Sequence, residues 1–386
     1  MKNLLEIINL ENSAENFIGD QLSFFQKTGN YNVHLICSPD ERLESFAKEQ
    51  GVQFKGIPLK RQIDIWQDIK SFFSICHYIF NNKIDIIICH QAKARTLAIP
   101  AAWLMRVKHR IIFAHGVLHE TMNGLKRKLV LLNDQILSKM ATNVICVSNH
   151  VKDIRVKDKI DKSSKQYIIG YGSCNGIDVE NKFNPILVKT DKLISLRNKY
   201  KISDHDFVLG FCGRLVRDKG VIELAETFDL IKKKHPEKSF KLLIIGEPEK
   251  RDAVPSNVLD MLFDSKDIIY TGRIEHSEMP VHYMLMNVLL FPSHRDGLGL
   301  APLEAEAMEV PALVTNITGC KETIQDGVTG HYIVLNPEDI CDVIELYFDD
   351  KKRKQFGING RSFVCSHFSH EEYKTKILNF LNNLEQ

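Results

Sequence analysis

The chain has 386 residues, more than one hydrophobic core usually serves, and its 44% hydrophobic content is sufficient for two domains. Its nine cysteines show neither CxxC nor mixed Cys/His spacing, which argues against a disulfide scaffold and a structural zinc site and is typical of reduced thiols in the cytoplasm. The first residues do not resemble an export signal, and no run of about 18 apolar residues occurs, so we expect a cytoplasmic protein without a membrane span.

Short apolar runs alternate with longer periodic segments through the first half of the sequence. The predicted strands are residues 4–8, 33–37, 52–57, 84–89, 110–113, 144–147 and 167–169. The predicted helices are residues 14–27, 41–49, 65–80, 92–105 and 118–140. Alternation of this kind predicts a parallel sheet wrapped by helices.

Polar residues stand at the carboxyl ends of several of these strands, where open α/β sheets bind their ligands. Gly19 follows the first strand, His90 and Lys93 follow another, and His115 precedes Gly116 after the next. A neutral imidazole at His115 could exchange a hydrogen bond with a sugar hydroxyl, while His90 or Lys93 could hold a phosphate. The alternative for each of these residues is a local structural role.

Charge is unevenly placed although the net charge is only +2. Residues 52–165 contain 20 Lys and Arg against 8 Asp and Glu, about +12, so the remainder carries about −10. Segments 103–110 and 126–132 mix apolar and basic residues, which suits peripheral contact with an anionic membrane; a buried helix with a charged edge fits them equally. Because no recognised RNA or DNA module accompanies the charge, we expect no nucleic-acid partner.

The alternation stops over residues 179–203, which are polar and contain Pro185, and then resumes. We therefore place a domain junction after residue 184 and expect two Rossmann-like α/β domains, 1–184 and 185–369, with a last helix near 370–384. The predicted strands of the second domain are residues 207–212, 242–245, 268–270, 288–291 and 312–315.

Residues 213–220 form a turn with glycine at both ends, between a predicted strand and a predicted helix over 221–234. Arg214 offers a planar fork for phosphate oxygens and Lys219 a compact positive charge, which together suit a pyrophosphate leaving group. Cations at a helix start oppose the helix dipole, so a bound anion explains them better than chance surface placement. Arg217 competes for either role.

Residues 291–330 read as an acidic, glycine-rich loop that runs into a helix beginning near Leu300 or Ala301. Gly297 and Gly299 permit close backbone approach, and the first N–H groups of the helix face the loop, which suits a diphosphate or sugar hydroxyls. Asp296 and Glu304 could reach one ligand from two sides, with Glu304 accepting from a ribose diol. The alternative is that Asp296 caps the helix and Glu304 is a solvated surface residue. The ligand that we infer is a nucleotide sugar.

These two segments resemble the donor site of the retaining glycosyltransferases of family 4. The loop is similar to the family's signature of Glu, seven residues and Glu within an EGFGL-like sequence, with Asp296 in place of the first Glu and Leu298 where an aromatic is common. The G-R-x-x-x-x-K-G pattern that contains Arg214 and Lys219 resembles the family's diphosphate clamp.

Short motifs of the first half resemble one subgroup, which builds bacterial capsular and other surface polysaccharides or lipid-linked oligosaccharides. They are GDQL from Gly19, CSP from Cys37, LKRQI from Leu59, HQAKA from His90, HG at His115 and GSCNGID from Gly172. Gly19 is single where many members have paired glycines, and in the family the position of His115 contacts the donor sugar.

The resemblance implies the GT-B fold, with two Rossmann-like domains facing across a cleft and a C-terminal helix, 370–386, returning to the first. It implies front-face retaining transfer from a nucleoside diphosphate sugar, most often UDP-linked, to a lipid-linked or growing saccharide, with no cofactor and no required metal. His115, Asp296, Arg214 and Lys219 are assigned to catalysis. The residues assigned to substrate binding are Gly19, His90, Lys93, Arg273, Gly297, Leu298, Gly299, Leu300 and Glu304.

Two other kinds of protein could have such a site, namely an epimerase or phosphorylase of the same fold and a noncatalytic binding protein. A nucleotide-sugar epimerase of the same fold would use the anion clamp but take no acceptor, and a noncatalytic nucleotide-sugar-binding protein would bind without turnover. A phosphorylase of this fold would need a lysine for pyridoxal phosphate. The products distinguish them, since only a transferase lengthens a saccharide.

Overall fold

A computed structural model describes residues 1–9, 17–60, 62, 64–250 and 252–384. Residues 14–16 of the first predicted helix, Arg61 and Ile63 of the LKRQI motif, and the last two residues of the predicted C-terminal segment lie outside these ranges. The chain forms two compact units, residues 1–176 with 371–386 and residues 177–370, so it leaves the first unit a little before the expected junction after residue 184.

The first unit contains a seven-stranded sheet in the order β3-β2-β1-β4-β5-β6-β7, with every neighbouring pair parallel. The central strand β4 is a nearly continuous apolar run whose residues are all buried, as is typical of a parallel sheet covered on both faces. The strand order reverses between β1 and β4. The strands are β1 (Lys2–Ile7), β2 (Tyr31–Cys37), β3 (Gln53–Gly56), β4 (Ile86–His90), β5 (His109–Ala114), β6 (Asn143–Cys146) and β7 (Gln166–Tyr167).

Several helices of the first unit begin at a side-chain cap. Asp40 accepts hydrogen bonds from the N–H groups of Arg42 and Leu43 at the start of one helix, and Asp64 accepts from Gln67 at another. The helices are α1 (Gln21–Lys27), α2 (Glu41–Glu49), α3 (Ile65–Asn81), α4 (Ala92–Leu104), α5 (Gly124–Met140) and α6 (Asn149–Lys157).

The predicted continuous helix over 118–140 is wrong. A 3-10 turn over Leu118–Thr121 precedes α5, and Gly124 takes a φ of +63°, a left-handed conformation that a continuous helix excludes.

The second unit contains a six-stranded parallel sheet in the order β10-β9-β8-β11-β12-β13. The two parallel sheets confirm the predicted α/β class with two Rossmann-like domains. The strands are β8 (Asp206–Cys212), β9 (Ser239–Ile245), β10 (Ile268–Gly272), β11 (Val288–Phe291), β12 (Ala312–Thr315) and β13 (His331–Ile333). The helices are α7 (Thr190–Lys199), α8 (Val221–Lys234), α9 (Ser256–Asp264), α10 (Met279–Tyr283), α11 (Leu300–Ala307), α12 (Pro337–Glu345) and α13 (Asp350–His367).

The last helix, α14 (His370–Asn383), lies almost entirely in the first unit, as predicted for the C-terminal segment. The Lys374 ammonium is 2.9 Å from an Asp20 carboxylate oxygen, and the Tyr373 hydroxyl donates to the Ser173 carbonyl. Among the described helices, none has the length and apolar character needed to cross a bilayer.

Candidate active site

The predicted donor residues of the second unit follow β8 and β11, the two strands between which the sheet order reverses. Loops that leave the carboxyl ends of strands at such a point form the usual ligand crevice of open α/β sheets. The loops approach closely at Gly220, which has a φ of +71° and where a Cβ atom would overlap the Pro292 carbonyl. Only glycine permits this approach, which brings Lys219 beside the loop after β11.

Lys219 and Asp296 form an ion pair. The Lys219 Nζ lies 2.6 Å from Asp296 Oδ2, and the two side chains are only 13% and 20% exposed. The ammonium also lies 5.3 Å from the centre of the Phe291 ring, while Asp296 Oδ1 accepts from the Gly297 N–H at 2.8 Å. The residue predicted to bind phosphate, Lys219, is therefore in direct contact with the residue predicted to bind the sugar, Asp296. Gly299, not Asp296, is the residue that precedes α11, which begins at Leu300.

Glu304 is buried on α11, unlike the solvated residue of the alternative interpretation. Its Oε1 is 2.9 Å from His276 Nε2, and its Oε2 accepts from the Tyr283 hydroxyl at 2.8 Å. Burial, followed by the neighbouring Cys212 and Glu304, holds the pKa of Tyr283 well above its ordinary value, so the phenol stays a donor. Each carboxylate oxygen has a second lone pair with which it could accept from a ribose hydroxyl.

Cys212, at the end of β8, is close enough to both Glu304 and Lys219 for each charge to change the pKa of its thiol. Burial and then Glu304, opposed by the Tyr283 hydroxyl and Lys219, raise the pKa of its thiol to about 12. The charges of Glu304 and Lys219 therefore both act on the thiol of Cys212. The structure thus brings Lys219, Asp296 and Glu304 into one neighbourhood at the carboxyl ends of β8 and β11.

The two arginines of the 213–220 turn are placed differently. Arg214 Nη1 lies 2.9 Å from Glu249 Oε2 in an ion pair whose arginine side chain is 48% exposed. Arg217 Nε donates to the Ala253 carbonyl at 2.8 Å, which ties the turn to the segment after β9. A surface pair such as Arg214–Glu249 costs little to rearrange, so Arg214 can exchange its carboxylate for another anion.

Two more predicted donor residues, Leu298 and Gly299, lie in the loop that carries Asp296. Gly299 donates its N–H to the Gly319 carbonyl at 2.8 Å, and Leu298 is buried beneath the loop. Gly319 has a φ of +74°, and a Cβ atom there would lie 2.5 Å from the Asp296 and Gly297 carbonyl oxygens. Arg273 is exposed just after β10.

Sequence reasoning missed three residues that shape this site. His276 and Tyr283 hold Glu304, and Gly319 allows the loop after β12 to touch the loop that carries Asp296. Gly319 had a usable signal, since it follows an apolar strand. The other two had none, because sequence spacing does not show which side chains will meet Glu304.

In the first unit, Gly19 has a φ of +55° in the turn before α1. The Lys93 ammonium lies 2.5 Å from Asp68 Oδ2 and also donates to the Gln62 carbonyl, so it ties α4 to α3. His90 Nδ1 is 2.9 Å from His115 Nε2.

His115 is partly buried after β5, against the Phe113 ring. Burial, followed by the nearby His90 and Arg95, holds the pKa of His115 well below its ordinary value, so its imidazole is neutral at physiological pH. A neutral imidazole can either donate a hydrogen bond to a sugar hydroxyl or accept one from it, which are the two roles considered for His115 from the sequence.

Comparison with known proteins agrees with these features. Residues 14–180 match the model of Glycosyltransferase Family 4, and residues 194–363 match that of Glycosyl transferases group 1. The chain is 32% identical over 373 residues to the capsular polysaccharide biosynthesis glycosyltransferase CapM of Staphylococcus aureus, with 95% of this chain and 94% of that protein covered.

A second relative is the UDP-Gal:alpha-D-GlcNAc-diphosphoundecaprenol alpha-1,3-galactosyltransferase of Escherichia coli. It is 26% identical over 344 residues, covering 88% of this chain and 86% of its own length. The crystal structure of Anabaena Alr3699/HepE in complex with UDP-glucose superposes with a TM-score of 0.81 at 14% identity, over 99% of this chain and 100% of that one, a likeness of fold. The chain therefore belongs to glycosyltransferase family 4, and it is a glycosyltransferase with the GT-B fold.

Proposed function

We propose that this enzyme transfers a sugar, with retention of configuration, from a UDP-sugar to a saccharide carried on a lipid diphosphate during assembly of a capsular or other surface polysaccharide. The observation that carries the proposal is the mostly buried Lys219–Asp296 pair, with Glu304 on the helix that follows Asp296, at the carboxyl ends of β8 and β11. The capsular relative from S. aureus and the lipid-diphosphate acceptor named for the E. coli relative support the pathway and the acceptor class.

The ion pair couples binding of the diphosphate to orientation of the sugar. A pyrophosphate carries more negative charge than one carboxylate, so it competes with Asp296 for the Lys219 ammonium. As Lys219 turns toward phosphate, the Asp296 oxygens become acceptors for sugar hydroxyls. Arg214 would exchange Glu249 for phosphate in the same way, while Glu304 would hold the ribose.

The proposed reaction takes place on one face of the sugar. The bond between the anomeric carbon and the β-phosphate oxygen breaks, the acceptor hydroxyl oxygen bonds to that carbon from the same side, and the hydroxyl proton passes to the leaving phosphate. Negative charge grows on the phosphate as the bond breaks, and Lys219, Arg214 and the N-terminus of α11 would stabilise it. In this scheme the reaction needs neither a nucleophilic carboxylate nor a metal.

Transfer to a lipid-linked acceptor tests the proposal. The purified enzyme is incubated with UDP- and GDP-sugars and an extract of lipid-diphosphate saccharides, and the products are resolved by mass spectrometry. We expect a saccharide one sugar longer with a UDP donor, and a loss of about 100-fold or more for Lys219→Ala. Lys233→Ala, at an exposed ion-paired lysine of α8, is the matched control. An altered donor sugar without an acceptor product would instead show an epimerase, and binding without turnover a noncatalytic protein.

We further propose that the first unit binds the cytoplasmic face of an anionic membrane, where such acceptors lie. Helices α3, α4 and α5 pack side by side with α4 in the middle. Each of these helices exposes large apolar side chains. The alternative of a buried helix, considered for residues 103–110, does not account for this exposure. The exposed side chains are Ile65, Trp66, Ile69, Phe73 and Phe80 on α3, Trp103 and Leu104 on α4, and Leu125, Leu129, Leu132 and Ile136 on α5.

The composition of this apolar surface favours a bilayer as its partner. The exposed residues of α5 recur about once per helical turn, and Lys126, Lys128 and Lys139 are exposed on the same helix. A helix that combines an apolar stripe with flanking lysines fits the boundary between acyl chains and anionic headgroups. Apolar side chains at this density are otherwise unfavourable in water.

Vesicle sedimentation tests the membrane proposal. We expect binding to vesicles containing phosphatidylglycerol but weak binding to pure phosphatidylcholine, and a loss of about 100-fold in affinity for the double variant Leu125→Ser, Leu129→Ser. The control is Ile186→Ser, Ile194→Ser, which removes two similarly exposed apolar side chains from the second unit. Equal binding by the two double variants would contradict the assignment.

A further inference from the structure

Three side chains of the first unit form a hydrogen-bonded chain across neighbouring strands. Glu6 of β1 pairs in register with Ile88 of β4, so His90, two residues further along, lies on the same face of the sheet. Glu6 Oε2 is 2.6 Å from His90 Nε2, and His90 Nδ1 is 2.9 Å from His115 Nε2. The chain runs from a buried carboxylate to a residue predicted to contact the substrate.

The rings of this chain are held in place by packing. Glu6 and His90 are each only 3% exposed, so the partly buried His115 is the most exposed member of the chain of hydrogen bonds. The Phe113 ring stacks on both imidazoles, with centroid distances of 4.9 Å to each, and Phe17 stacks on His115 at 4.8 Å. These contacts leave the imidazoles little freedom to rotate.

Hydrogen-bond chemistry then determines which nitrogens carry protons. A carboxylate only accepts, so His90 Nε2 must donate to Glu6. When His90 is neutral, its Nδ1 has a lone pair and must accept from His115 Nε2–H. A neutral His115 with its proton on Nε2 presents a lone pair at Nδ1.

The surrounding charges are few. Cys89 of β4 and Tyr373 of α14 lie near Glu6, and their pKa values are held well above the ordinary range, mainly by burial, so both are neutral. Arg95 of α4 is the cation near His115, and it is paired with Asp134 at 2.7 Å. Glu6 is therefore the anion that acts directly on His90.

We propose that Glu6 and His90 are positioning residues that hold His115 as the Nε2–H tautomer, so that His115 Nδ1 accepts a hydrogen bond from a hydroxyl of the bound sugar. The inference rests on the proposed function only in naming a sugar hydroxyl as the group that donates this hydrogen bond to His115. It replaces the predicted contact between His90 and a phosphate, because both ring nitrogens of His90 are engaged within the protein. Because His115 Nδ1 would then only accept hydrogen bonds, it could not bond to phosphate or carbonyl oxygens, which also only accept.

Nitrogen-15 NMR of histidine-labelled enzyme tests the tautomer without any substrate. At neutral pH we expect His115 to carry its proton on Nε2. In Glu6→Gln the amide can donate to His90 Nε2, which would move the His90 proton to Nδ1 and the His115 proton to Nδ1. We expect this variant to show a larger Nδ1–H fraction at His115 and a KM for the sugar donor about tenfold higher. Glu6→Asp, which keeps the carboxylate, should restore the Nε2–H form in part.

Controls separate positioning from folding and from the reaction itself. Glu49→Gln, at an exposed glutamate of the same unit, should leave both the spectrum and KM unchanged. An unchanged melting temperature shows that Glu6→Gln is folded. An Nδ1–H proton on His115 in the wild-type enzyme, or an unchanged tautomer in Glu6→Gln, overturns the inference. Because the spectra need no donor or acceptor, failure to detect sugar transfer would count against the proposed function alone.

Discussion

Lys219 Nζ lies 2.6 Å from Asp296 Oδ2, and this contact joins two loops that are 77 residues apart in the sequence. The pair is mostly buried, so neither charge is fully compensated by water. A residue expected to bind phosphate is thus held by a residue expected to bind sugar. Removing the carboxylate should affect the two halves of the donor in opposite directions.

Asp296→Asn should strengthen the binding of UDP and weaken sugar transfer. The Lys219 ammonium no longer has a competing carboxylate, so we expect the Kd for UDP to fall several-fold, while loss of the sugar contact lowers kcat by about tenfold or more. Isothermal titration with UDP and steady-state kinetics measure the two effects. Asp229→Asn, at an exposed carboxylate paired with Lys233, is the control and should change neither. Weaker UDP binding by Asp296→Asn would contradict the competition.

Tyr283→Phe should weaken donor binding through Glu304. The variant keeps the ring but removes the hydroxyl that donates to Glu304 Oε2 at 2.8 Å. A buried hydrogen bond to a charged group contributes about 1.5–3 kcal/mol, part of which we expect to appear as a KM for the donor about tenfold higher. Tyr332→Phe removes a hydroxyl that donates to the Lys321 carbonyl and serves as the control. A donor KM equal to that of the wild type would show that Glu304 is positioned without Tyr283.

Sequence reasoning succeeded where structure is local. The bounds of α2 and α8 were predicted correctly because their apolar periodicity and flanking residues are unambiguous. It failed over residues 118–140, where Gly124 interrupts an otherwise periodic pattern, and at β13, a three-residue strand that depends on pairing with β12. Strand β13 lacks the length that marks a strand in isolation.

The candidate site likewise contains some residues that the sequence predicted and others that it did not. Lys219, Asp296 and Glu304 were found from a motif, whereas the partners that hold them were not. His276 and Tyr283 lie 28 and 21 residues from Glu304, and their approach depends on the packing of α10 against α11. Long-range contacts of this kind follow from the fold and leave no periodic signal in the sequence.

Treatment with EDTA should leave the transfer rate unchanged. In the proposed scheme Lys219, Arg214 and the N-terminus of α11 supply the positive charge that a divalent cation supplies in other transferases. The measurement compares initial rates before and after chelation, with Mg²⁺ or Mn²⁺ added back in turn. An enzyme that loses activity in EDTA and regains it with either ion would show that the phosphate charge is met by a metal.

Glu306 should make the stability of the second unit depend on pH. Its carboxyl group is fully buried on α11, and neither oxygen makes a hydrogen bond of normal geometry within the described residues. Burial, opposed in part by the nearby Thr329 hydroxyl, raises the pKa of Glu306 from 4.5 to about 8. The folded protein therefore keeps this proton over a pH range in which the unfolded chain has lost it.

The sign of the effect follows from this proton. Stability that depends on the protonated carboxyl is fully present below pH 4.5 and is lost as the pH rises to about 8, at about 1.4 kcal/mol per pH unit. Glu306→Gln keeps the shape without the ionisable group, so its free energy of unfolding should exceed that of the wild type by an amount that grows between pH 5 and 8. Urea unfolding followed by circular dichroism at several pH values measures this difference.

The control is Glu309→Gln, which changes an exposed glutamate just beyond the same helix. Its stability should follow that of the wild type at every pH, because an exposed carboxyl has nearly the same surroundings in the folded and unfolded chains. If the curves of Glu306→Gln and the wild type stay parallel from pH 5 to 8, the Glu306 carboxyl is hydrated or hydrogen-bonded in solution. In that case its proton does not contribute to the stability of the fold.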